Sequence, residues 1–306
     1  MKIGTRGSDL ALAQTRWVMD RIRTYYSDLI IEDVVIRTKA DIMQDVSLAG
    51  IGGKGLFVKE IEDALLNGEI DMAVHSMKDV PAEIPDGLEI AATPEREDPR
   101  DVLIAKDRRK LEELPRGARL GTGSLRRGLQ VRNLLPDVEI VPLRGNIGTR
   151  IKKIETENLE GVILAAAGLR RMGWMRQITQ FIPPEIMMPA IGQGALGVEI
   201  RRDDTKLKEM ITVFHHPATW IEVGAERAFL KRIGGGCHLP IAAYGKIDNG
   251  ILKLRGLIGS PDGRFIIREE ITGRPEDGDV LGFNLAERIL LQGGQAILNE
   301  ITEESV

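Results

Sequence analysis

The chain has 306 residues, of which 42% are hydrophobic and 29% charged, and its formal net charge is −4 at pH 7. This is the composition of a globular protein of two or three domains, without a global charge signature of nucleic-acid or membrane binding. The sequence shows no basic-then-apolar leader and no apolar run of about 18 residues. We therefore expect a cytoplasmic protein that has neither nucleic-acid nor membrane partners.

Strand-like and helix-like segments alternate through the first two thirds of the chain, a pattern that favours parallel sheets covered by helices. In the first part we predict strands at residues 2–5, 31–37 and 71–75. One helix begins after Ser8, a good N-cap, and another ends near Asn67.

The stretch at residues 93–101 is rich in proline and charge, which is typical of a hinge between domains. The alternation then restarts, with strands at residues 119–122, 138–143 and 161–165 and helices at residues 125–135 and 147–155. Small residues at 189–197 indicate a second crossing that returns the chain to the first domain. Two crossings between paired α/β domains predict a cleft.

From residue 217 the order changes to a helix, a glycine loop, three strands and a final helix, which indicates a small α+β domain. The strands are predicted at residues 241–247, 251–258 and 264–271, and the last helix at about residues 284–301. The predicted division is a first α/β domain from residues 1–94 and 190–213, a second α/β domain from residues 95–189, and a third α+β domain from residues 214–306.

Cys237 is the single cysteine of the chain, and it follows three consecutive glycines. One thiol cannot form an internal disulfide, and a glycine run lets the backbone bring its sulfur close to a large ligand. A lone cysteine is often a small apolar core residue. Together with the basic motifs that follow, the glycine run instead favours a covalent attachment site.

Arginines cluster at turns that follow three strands of the predicted second domain: Arg126, Arg127, Arg144, Arg150, Arg170 and Arg171. Strand ends face the crevice of an open α/β sheet, and helix starts favour anions. Planar guanidinium groups suit bidentate binding of several carboxylates. Surface arginines often merely solvate a helix face, but three repetitions at equivalent positions favour a polyanion site.

The predicted first domain offers two further candidates. Arg6 lies at a strand-to-helix turn, where it can contact an anion. Lys78 and Asp79 follow an apolar strand and precede Pro81, an arrangement that can aim a carboxylate into the cleft and stabilise cationic intermediates. A simple turn before the proline is the structural alternative.

Metal and nucleotide sites are not indicated. His215 and His216 precede a proline and suit a helix cap, and Cys237 lacks the neighbouring ligands of a zinc site. The glycine-rich segment around Lys54 does not match the Walker spacing.

Several motifs occur in order along the chain: Thr5-Arg6-Gly7-Ser8 with Leu10-Ala11, Gly52-Gly53-Lys54-Gly55-Leu56-Phe57, His75-Ser76-Met77-Lys78-Asp79, Glu95-Arg96-Glu97-Asp98-Pro99-Arg100-Asp101, Gly121-Thr122-Gly123-Ser124-Leu125-Arg126-Arg127, Leu143-Arg144-Gly145-Asn146, Gly192-Gln193-Gly194-Ala195 and Gly235-Gly236-Cys237. Together they resemble the motifs of the porphobilinogen deaminase family, also called hydroxymethylbilane synthase. The resemblance runs from the first predicted strand into the third domain.

The resemblance implies a monomeric transferase with two periplasmic-binding-protein-like α/β domains flanking a cleft and a small α+β C-terminal domain. It implies a dipyrromethane cofactor joined to Cys237 by a thioether. On this primer, four porphobilinogen molecules are added head to tail with loss of ammonia, and hydrolysis then releases hydroxymethylbilane for tetrapyrrole and haem biosynthesis.

The resemblance also assigns residues, and it implies no metal. The catalytic residues would be Asp79, Lys78 and Arg6. The cofactor-binding residues, besides Cys237, would be Ser76, Lys78, Asp79, Thr122, Ser124, Arg126, Arg127, Arg144, Gly145 and Lys54. The substrate-binding residues would be Arg6, Ser8, Arg144, Arg150, Arg171 and Gln193. Gly50 and Gly123 depart from the lysine and serine that are common in the family.

Two other functions fit part of the same evidence. A non-catalytic, two-lobed binding protein for a polycarboxylate could use the arginine cleft, but it would need neither Cys237 nor Asp79. A cysteine-nucleophile transferase acting on a smaller carboxylate would keep Cys237 unmodified at rest, with a base such as His238 nearby.

Overall fold

The computed structural model of the chain describes residues 1–38, 58–234 and 239–303. Within these ranges the strands are β1 (Lys2–Thr5), β2 (Glu32–Val35), β3 (Met72–Ser76), β4 (Leu88–Ala92), β5 (Asp101–Ala105), β6 (Arg119–Gly121), β7 (Glu139–Val141), β8 (Gly161–Ala165), β9 (Gln180–Ile182), β10 (Leu196–Arg201), β11 (Ile241–Asp248), β12 (Ile251–Gly259) and β13 (Ile266–Gly273).

The α-helices of the same ranges are α1 (Asp9–Tyr25), α2 (Lys59–Leu66), α3 (Leu125–Leu134), α4 (Ile147–Thr156), α5 (Ala166–Arg171), α6 (Thr205–Ile211), α7 (Pro217–Ile233), α8 (Gly278–Ile289) and α9 (Gln295–Glu303). Short 3-10 turns lie at Met77–Asp79, Leu111–Glu113, Met175–Gln177, Thr212–Phe214 and Pro275–Asp277.

Local sequence accounts for several helix ends. The Ser8 hydroxyl accepts a hydrogen bond from the Ala11 amide at 3.3 Å, which confirms Ser8 as the N-cap of α1. The ring of His216 accepts from the Thr219 amide at 3.2 Å and so caps α7. Gly234 ends α7 in the left-handed region, with φ of +73°.

The first sheet has the strand order β2-β1-β3-β10-β4. β1 runs parallel to β2 and β3, whereas β10 runs antiparallel to β3 and β4. Its core, around Ile3, Val18 and Val198, also includes Leu207 and Ile211 of α6. We call this sheet and its helices the first domain.

The second sheet has the order β7-β6-β8-β5-β9 and defines the second domain. β6 is parallel to β7 and β8, while β5 is antiparallel to β8 and β9. Each sheet therefore contains one antiparallel strand, and that strand is the one that arrives directly from the other sheet. β5 follows β4 across the first crossing, and β10 follows β9 across the second.

The α/β fold class is confirmed, and the expectation of parallel sheets holds for three strands of each sheet but not for β5 and β10. Parallel neighbours within one sheet need a long crossover, usually a helix, whereas a strand that enters from another domain is not bound by that rule. Because both crossings deliver such a strand, β5 and β10 run opposite to their neighbours. The predicted domain boundaries themselves stay a prediction.

The third domain consists of an antiparallel sheet, β11-β12-β13, covered by α7 and α8. Phe229, Leu254 and Ile289 are fully buried between the sheet and these helices. The prediction of one final helix at residues 284–301 is wrong. α8 begins earlier, and a break at Leu290–Gly294, where Gly293 has φ of +110°, separates it from α9.

Helices α7 and α8 approach closely at Gly282, since a Cβ built there would lie 2.3 Å from the Ala225 carbonyl oxygen. We expect Gly282→Ala to lower the free energy of unfolding by about 1–3 kcal/mol through overpacking. Gly224→Ala in α7 is the matched control, because its nearest new neighbour would be the Asp279 carboxylate at 3.9 Å. It should leave stability unchanged or raise it by up to about 1 kcal/mol. Chemical denaturation measures both, and equal stabilities of the two variants would contradict the close approach.

Candidate functional site

The Met77–Asp79 turn extends from the end of β3 and carries Lys78 and Asp79. The Met77 amide donates to the Ala195 carbonyl at 3.0 Å, which attaches the turn to the second crossing. A Cβ on Gly192 would lie 2.9 Å from Cβ of Met77, and Gly192 has φ of +69°, so this approach requires glycine. The turn is thus held firmly against the crossing.

Two other contacts restrain the ends of this turn. The Gln14 amide nitrogen of α1 donates to the Ser76 hydroxyl at 2.8 Å. On the far side, Nη2 of Arg227 in α7 donates to the carbonyl of Pro81 at 2.7 Å. Helices of the first and third domains therefore fix the segment that contains Lys78 and Asp79.

A buried carboxylate organises the facing part of the second domain. Asp101 begins β5 and is 0% exposed. Its Oδ2 accepts from Nη1 of Arg126 at 2.7 Å, and its Oδ1 accepts from Nη2 of Arg127 at 2.7 Å. Burial alone would raise the pKa of Asp101, but the two guanidinium groups hold it at about 2.

Arg126 and Arg127 lie in the first turn of α3, where the helix dipole disfavours cations. They are only 4% and 6% exposed, so the alternative that these arginines solvate a helix face is wrong for this pair. One carboxylate cannot neutralise two guanidinium groups. The arrangement therefore holds a surplus positive charge at a helix start, which suits an additional anion.

Thr122 and Ser124 precede this helix. The Ser124 amide donates to the Thr122 hydroxyl at 3.2 Å, and the Ser124 side chain makes no capping hydrogen bond to α3. At Gly123, a Cβ would lie 2.4 Å from the Leu143 carbonyl oxygen. The loop conformation thus accounts for glycine at position 123.

Lys78 connects the two halves of the site electrostatically. Burial lowers the pKa of Lys78; Asp79 and Asp101 oppose this shift, whereas Arg127 and Arg150 add to it. The structure therefore brings the predicted residues of the first domain into one electrostatic neighbourhood with those of the second.

Arg150 lies in α4, and its Nε donates to the Gly145 carbonyl at 2.8 Å. Burial, together with repulsion from Arg127 and Arg144, lowers the pKa of Arg150 to about 10, so it stays protonated at neutral pH. Gly145 has φ of +105°, and a Cβ there would lie 2.8 Å from the Thr149 methyl carbon. Glycine at this position therefore allows the backbone conformation in which the Gly145 carbonyl accepts the hydrogen bond from Arg150.

The remaining predicted arginines differ in their surroundings. Nη2 of Arg171 donates to the Gly194 carbonyl at 2.8 Å, and burial lowers the pKa of Arg171 to about 10. Arg170 instead forms a half-exposed ion pair with Glu97 at 3.2 Å. Arg6 follows β1, which pairs in parallel with β3, so Arg6 lies at the same sheet edge as Lys78.

Gln193 lies in the second crossing and is 1% exposed. Its Nε2 donates to the Pro99 carbonyl at 2.6 Å and to Oδ1 of Asp101 at 3.0 Å. It thus links both crossings to the buried carboxylate, and its predicted substrate contact stays a prediction. Lys54, Gly50 and Cys237 lie outside the described residues.

Sequence reasoning did not single out Asp101 or a second buried acid, Glu226. Glu226 of α7 accepts hydrogen bonds from Arg96 in the first crossing at 2.6 Å and from the amide of Gly192 in the second crossing at 2.6 Å. It also accepts from the Gly245 amide of β11 at 2.8 Å. The sequence signal that points to Asp101 is an acid at the first position of an apolar strand.

Neither a metal-binding cluster nor a membrane-spanning helix is found in the described part of the chain. Residues 1–38, 58–234 and 239–303 contain no group of three or more His, Cys, Asp or Glu side chains arranged to hold a metal ion. None of the helices there is both long enough and apolar enough to cross a membrane.

Known proteins resemble this chain along most of its length. A family model described as "Porphobilinogen deaminase, dipyromethane cofactor binding domain" matches residues 1–209, and one described as "Porphobilinogen deaminase, C-terminal domain" matches residues 220–291. A curated porphobilinogen deaminase of Syntrophus aciditrophicus is 55% identical over 303 residues, covering 99% of each chain. Another, of Geotalea daltonii, is 50% identical over 306 residues, covering 100% of this chain and 96% of the relative.

A solved structure, the periplasmic aliphatic sulphonate binding protein of Escherichia coli, aligns with a TM-score of 0.40 and 11% identity, covering 76% of this chain and 69% of that one.

Asp101→Asn should lower the free energy of unfolding by about 3–5 kcal/mol at neutral pH, because two buried arginines lose their shared carboxylate. Asp137→Asn, which breaks an exposed pair with Arg116 in the same domain, is the control and should cost about 1 kcal/mol or less. Urea unfolding of both variants and the parent measures these differences.

The Asp101 effect should also depend on pH. The pKa is lowered from 3.8 to about 2, so the stabilisation is complete above about pH 4 and is lost as the pH falls through about 2. The stability difference between the parent and Asp101→Asn should therefore narrow between about pH 4 and pH 2. A difference that stays constant over this range would exclude the ion pairs as its source.

Proposed function

The chain belongs to the porphobilinogen deaminase family, and from this premise we propose which of its residues carry the family's transferase reaction. The enzyme joins porphobilinogen molecules head to tail with loss of ammonia and releases hydroxymethylbilane. The observation that supports the assignment of roles is the shared neighbourhood of Lys78 and Asp79 with the arginines of the second domain. The two-lobed binding protein and the simple cysteine transferase are therefore set aside.

The described residues fit a dipyrromethane cofactor, whose two pyrrole rings each carry an acetate and a propionate. The buried neighbourhood contains more cations than carboxylates among the described residues: Lys78, Arg126, Arg127 and Arg150 against Asp79 and Asp101. Burying like charges together is unfavourable unless anions offset them. When bound, the cofactor supplies the pyrrole α-carbon to which the first substrate is added.

We assign the cofactor carboxylates to Ser76, Lys78, Thr122, Ser124, Arg126, Arg127, Arg144, Gly145 and Lys54, and the thioether to Cys237. Each guanidinium has five N–H donors, so the bonds from Arg126 and Arg127 to Asp101 leave donors for a ligand. Asp101 fixes the orientation of both arginines. The substrate carboxylates are assigned to Arg6, Ser8, Arg144, Arg150, Arg171 and Gln193.

Asp79 is assigned the central catalytic role. Loss of ammonia leaves positive charge on the pyrrole, and a carboxylate at this point stabilises that charge as it develops and can accept a hydrogen bond from the pyrrole N–H. Lys78 and Arg6 lie at the same sheet edge and hold the carboxylates of the reacting ring. The restraints on the Met77–Asp79 turn keep the Asp79 carboxylate in a defined position.

The oligomeric state, cellular location and partners of the enzyme belong to the same proposal. We propose that the enzyme works as a monomer in the cytoplasm on a small-molecule substrate, without nucleic-acid or membrane partners.

Asp79→Asn should lower kcat for porphobilinogen consumption by about 10²–10³-fold, because it removes the negative charge and keeps the side-chain size. The variant should remain folded and carry its cofactor. Asp86→Asn, an exposed acid of the same domain, is the control and should keep full activity. Steady-state and single-turnover kinetics measure the effect, and full turnover by Asp79→Asn would remove Asp79 from the mechanism.

Cys237→Ser should abolish covalent loading, because serine cannot form the thioether. Denaturing mass spectrometry of the parent should show an increment of two linked pyrrole units on the peptide that contains Cys237, and the variant should lack it. Incubation with porphobilinogen before the measurement distinguishes an unloaded parent from one that cannot be loaded. A loaded and active Cys237→Ser enzyme would contradict the assignment.

A further inference from the structure

A cavity of about 570 Å³ lies between the first and third domains. Met77, the first residue of the turn that carries Lys78 and Asp79, forms part of its wall. The other walls come from α7 and α8 of the third domain and from β4. The cavity therefore adjoins the proposed catalytic segment, and apart from Met77 and Arg227, which hold that segment, its lining residues have been assigned no role in the reaction.

The lining combines a buried apolar floor with exposed aromatic walls. Met77, Ile90 and Val223 are buried. Trp220 is 43% exposed and Phe283 is 49% exposed, and both line the cavity. Large aromatic side chains beside an apolar cavity of this size suit a ligand with one or two fused planar rings.

The polar part of the lining carries more positive than negative charge. Its cations are Arg227, Lys231 and Arg232, and its carboxylate is that of Asp279. Glu287 pairs with Arg232, whereas Lys231 is exposed and has no ion-pair partner within the described parts of the chain. An anionic group would thus find a cation at the rim that is not already neutralised.

We propose that this cavity binds a small organic anion with a planar apolar ring system and one carboxylate, at a site separate from the arginine cleft. The ring lies against Trp220 and Phe283, and the carboxylate pairs with Lys231. This chemistry differs from that of the cleft, where buried arginines suit several carboxylates at once.

The cavity is lined by two residues that belong to or contact the segment containing the catalytic turn. Arg227 lines the cavity and also donates hydrogen bonds to the carbonyls of Val80 and Pro81, while Met77 lies at the other end of the same segment. A ligand that contacts both residues stabilises residues 77–82. The effect on turnover rests on the proposed function, but binding and the stabilisation of this segment do not.

The binding test uses isothermal titration calorimetry of the holoenzyme with 2-naphthoate, and with neutral 2-naphthamide as its matched probe. We expect one site for 2-naphthoate and about two- to fivefold weaker binding of the amide, the usual effect of losing one ion pair at an exposed cation. No heat of binding at millimolar 2-naphthoate, or equal affinity for both probes, would overturn the proposal.

Variants locate the site. Gly224 lines the cavity, and its surroundings leave room for a side chain, so Gly224→Leu should fill the cavity and abolish binding while Gly224→Ala retains it. Lys231→Gln should weaken 2-naphthoate binding about two- to fivefold without changing the affinity for the amide. Arg150→Gln in the cleft should have no effect. Binding that survives Gly224→Leu, or that is lost in Arg150→Gln, would place the probe elsewhere and overturn the proposal.

Hydrogen exchange tests whether the ligand stabilises residues 77–82, and this measurement does not depend on enzyme activity. Saturating 2-naphthoate should slow exchange of the amides in residues 77–82 in the parent and leave it unchanged in Gly224→Leu. Unchanged exchange in the parent, with binding confirmed by calorimetry, would overturn the coupling.

Discussion

The buried carboxylate of Asp101 is the interaction on which the cleft depends. It begins the strand that enters the second domain, and it holds two arginines at the start of α3, where the helix dipole would otherwise oppose them. Removing these ions from water costs several kcal/mol per ion, and the short hydrogen bonds offset that cost only because all three groups are fixed. Since one negative charge faces two positive charges, the same interaction that stabilises the fold leaves the cleft cationic.

Glu226 is a second buried acid that joins separate parts of the chain. It binds Arg96 from one crossing and the Gly192 amide from the other, and it joins both to β11. Both crossings also reach Asp101. The first crossing ends at Asp101, and Gln193 of the second crossing donates a hydrogen bond to its carboxylate. The third domain therefore does more than carry Cys237, because α7 contributes Glu226 to the crossings and Arg227 to the catalytic turn.

The sequence predicted most of the helices and parallel strands, because caps and hydrophobic runs are local signals. Ser8 and His216 mark their helix ends as expected. It did not predict β4, β5, β9 or β10, which adjoin segments rich in proline or small residues. The arginines were recognised as a group, but the partner of Arg126 and Arg127 was not, since Asp101 is 25 residues from Arg126 in the chain. Long-range pairing of this kind leaves no local pattern.

Buried acids on the two sides of the cleft respond to pH in opposite senses. Burial, and then the charge of Glu199, raises the pKa of Glu62 in α2 from 4.5 to about 7. Its contribution to stability is complete below about pH 4.5 and is lost as the pH rises through about 7, whereas that of Asp101 is complete above about pH 4. The first domain favours the protonated carboxyl of Glu62, while the second favours the ionised one of Asp101. The difference lies in the local partners: Glu62 is buried beside a like charge, Glu199, whereas Asp101 is buried between two arginines.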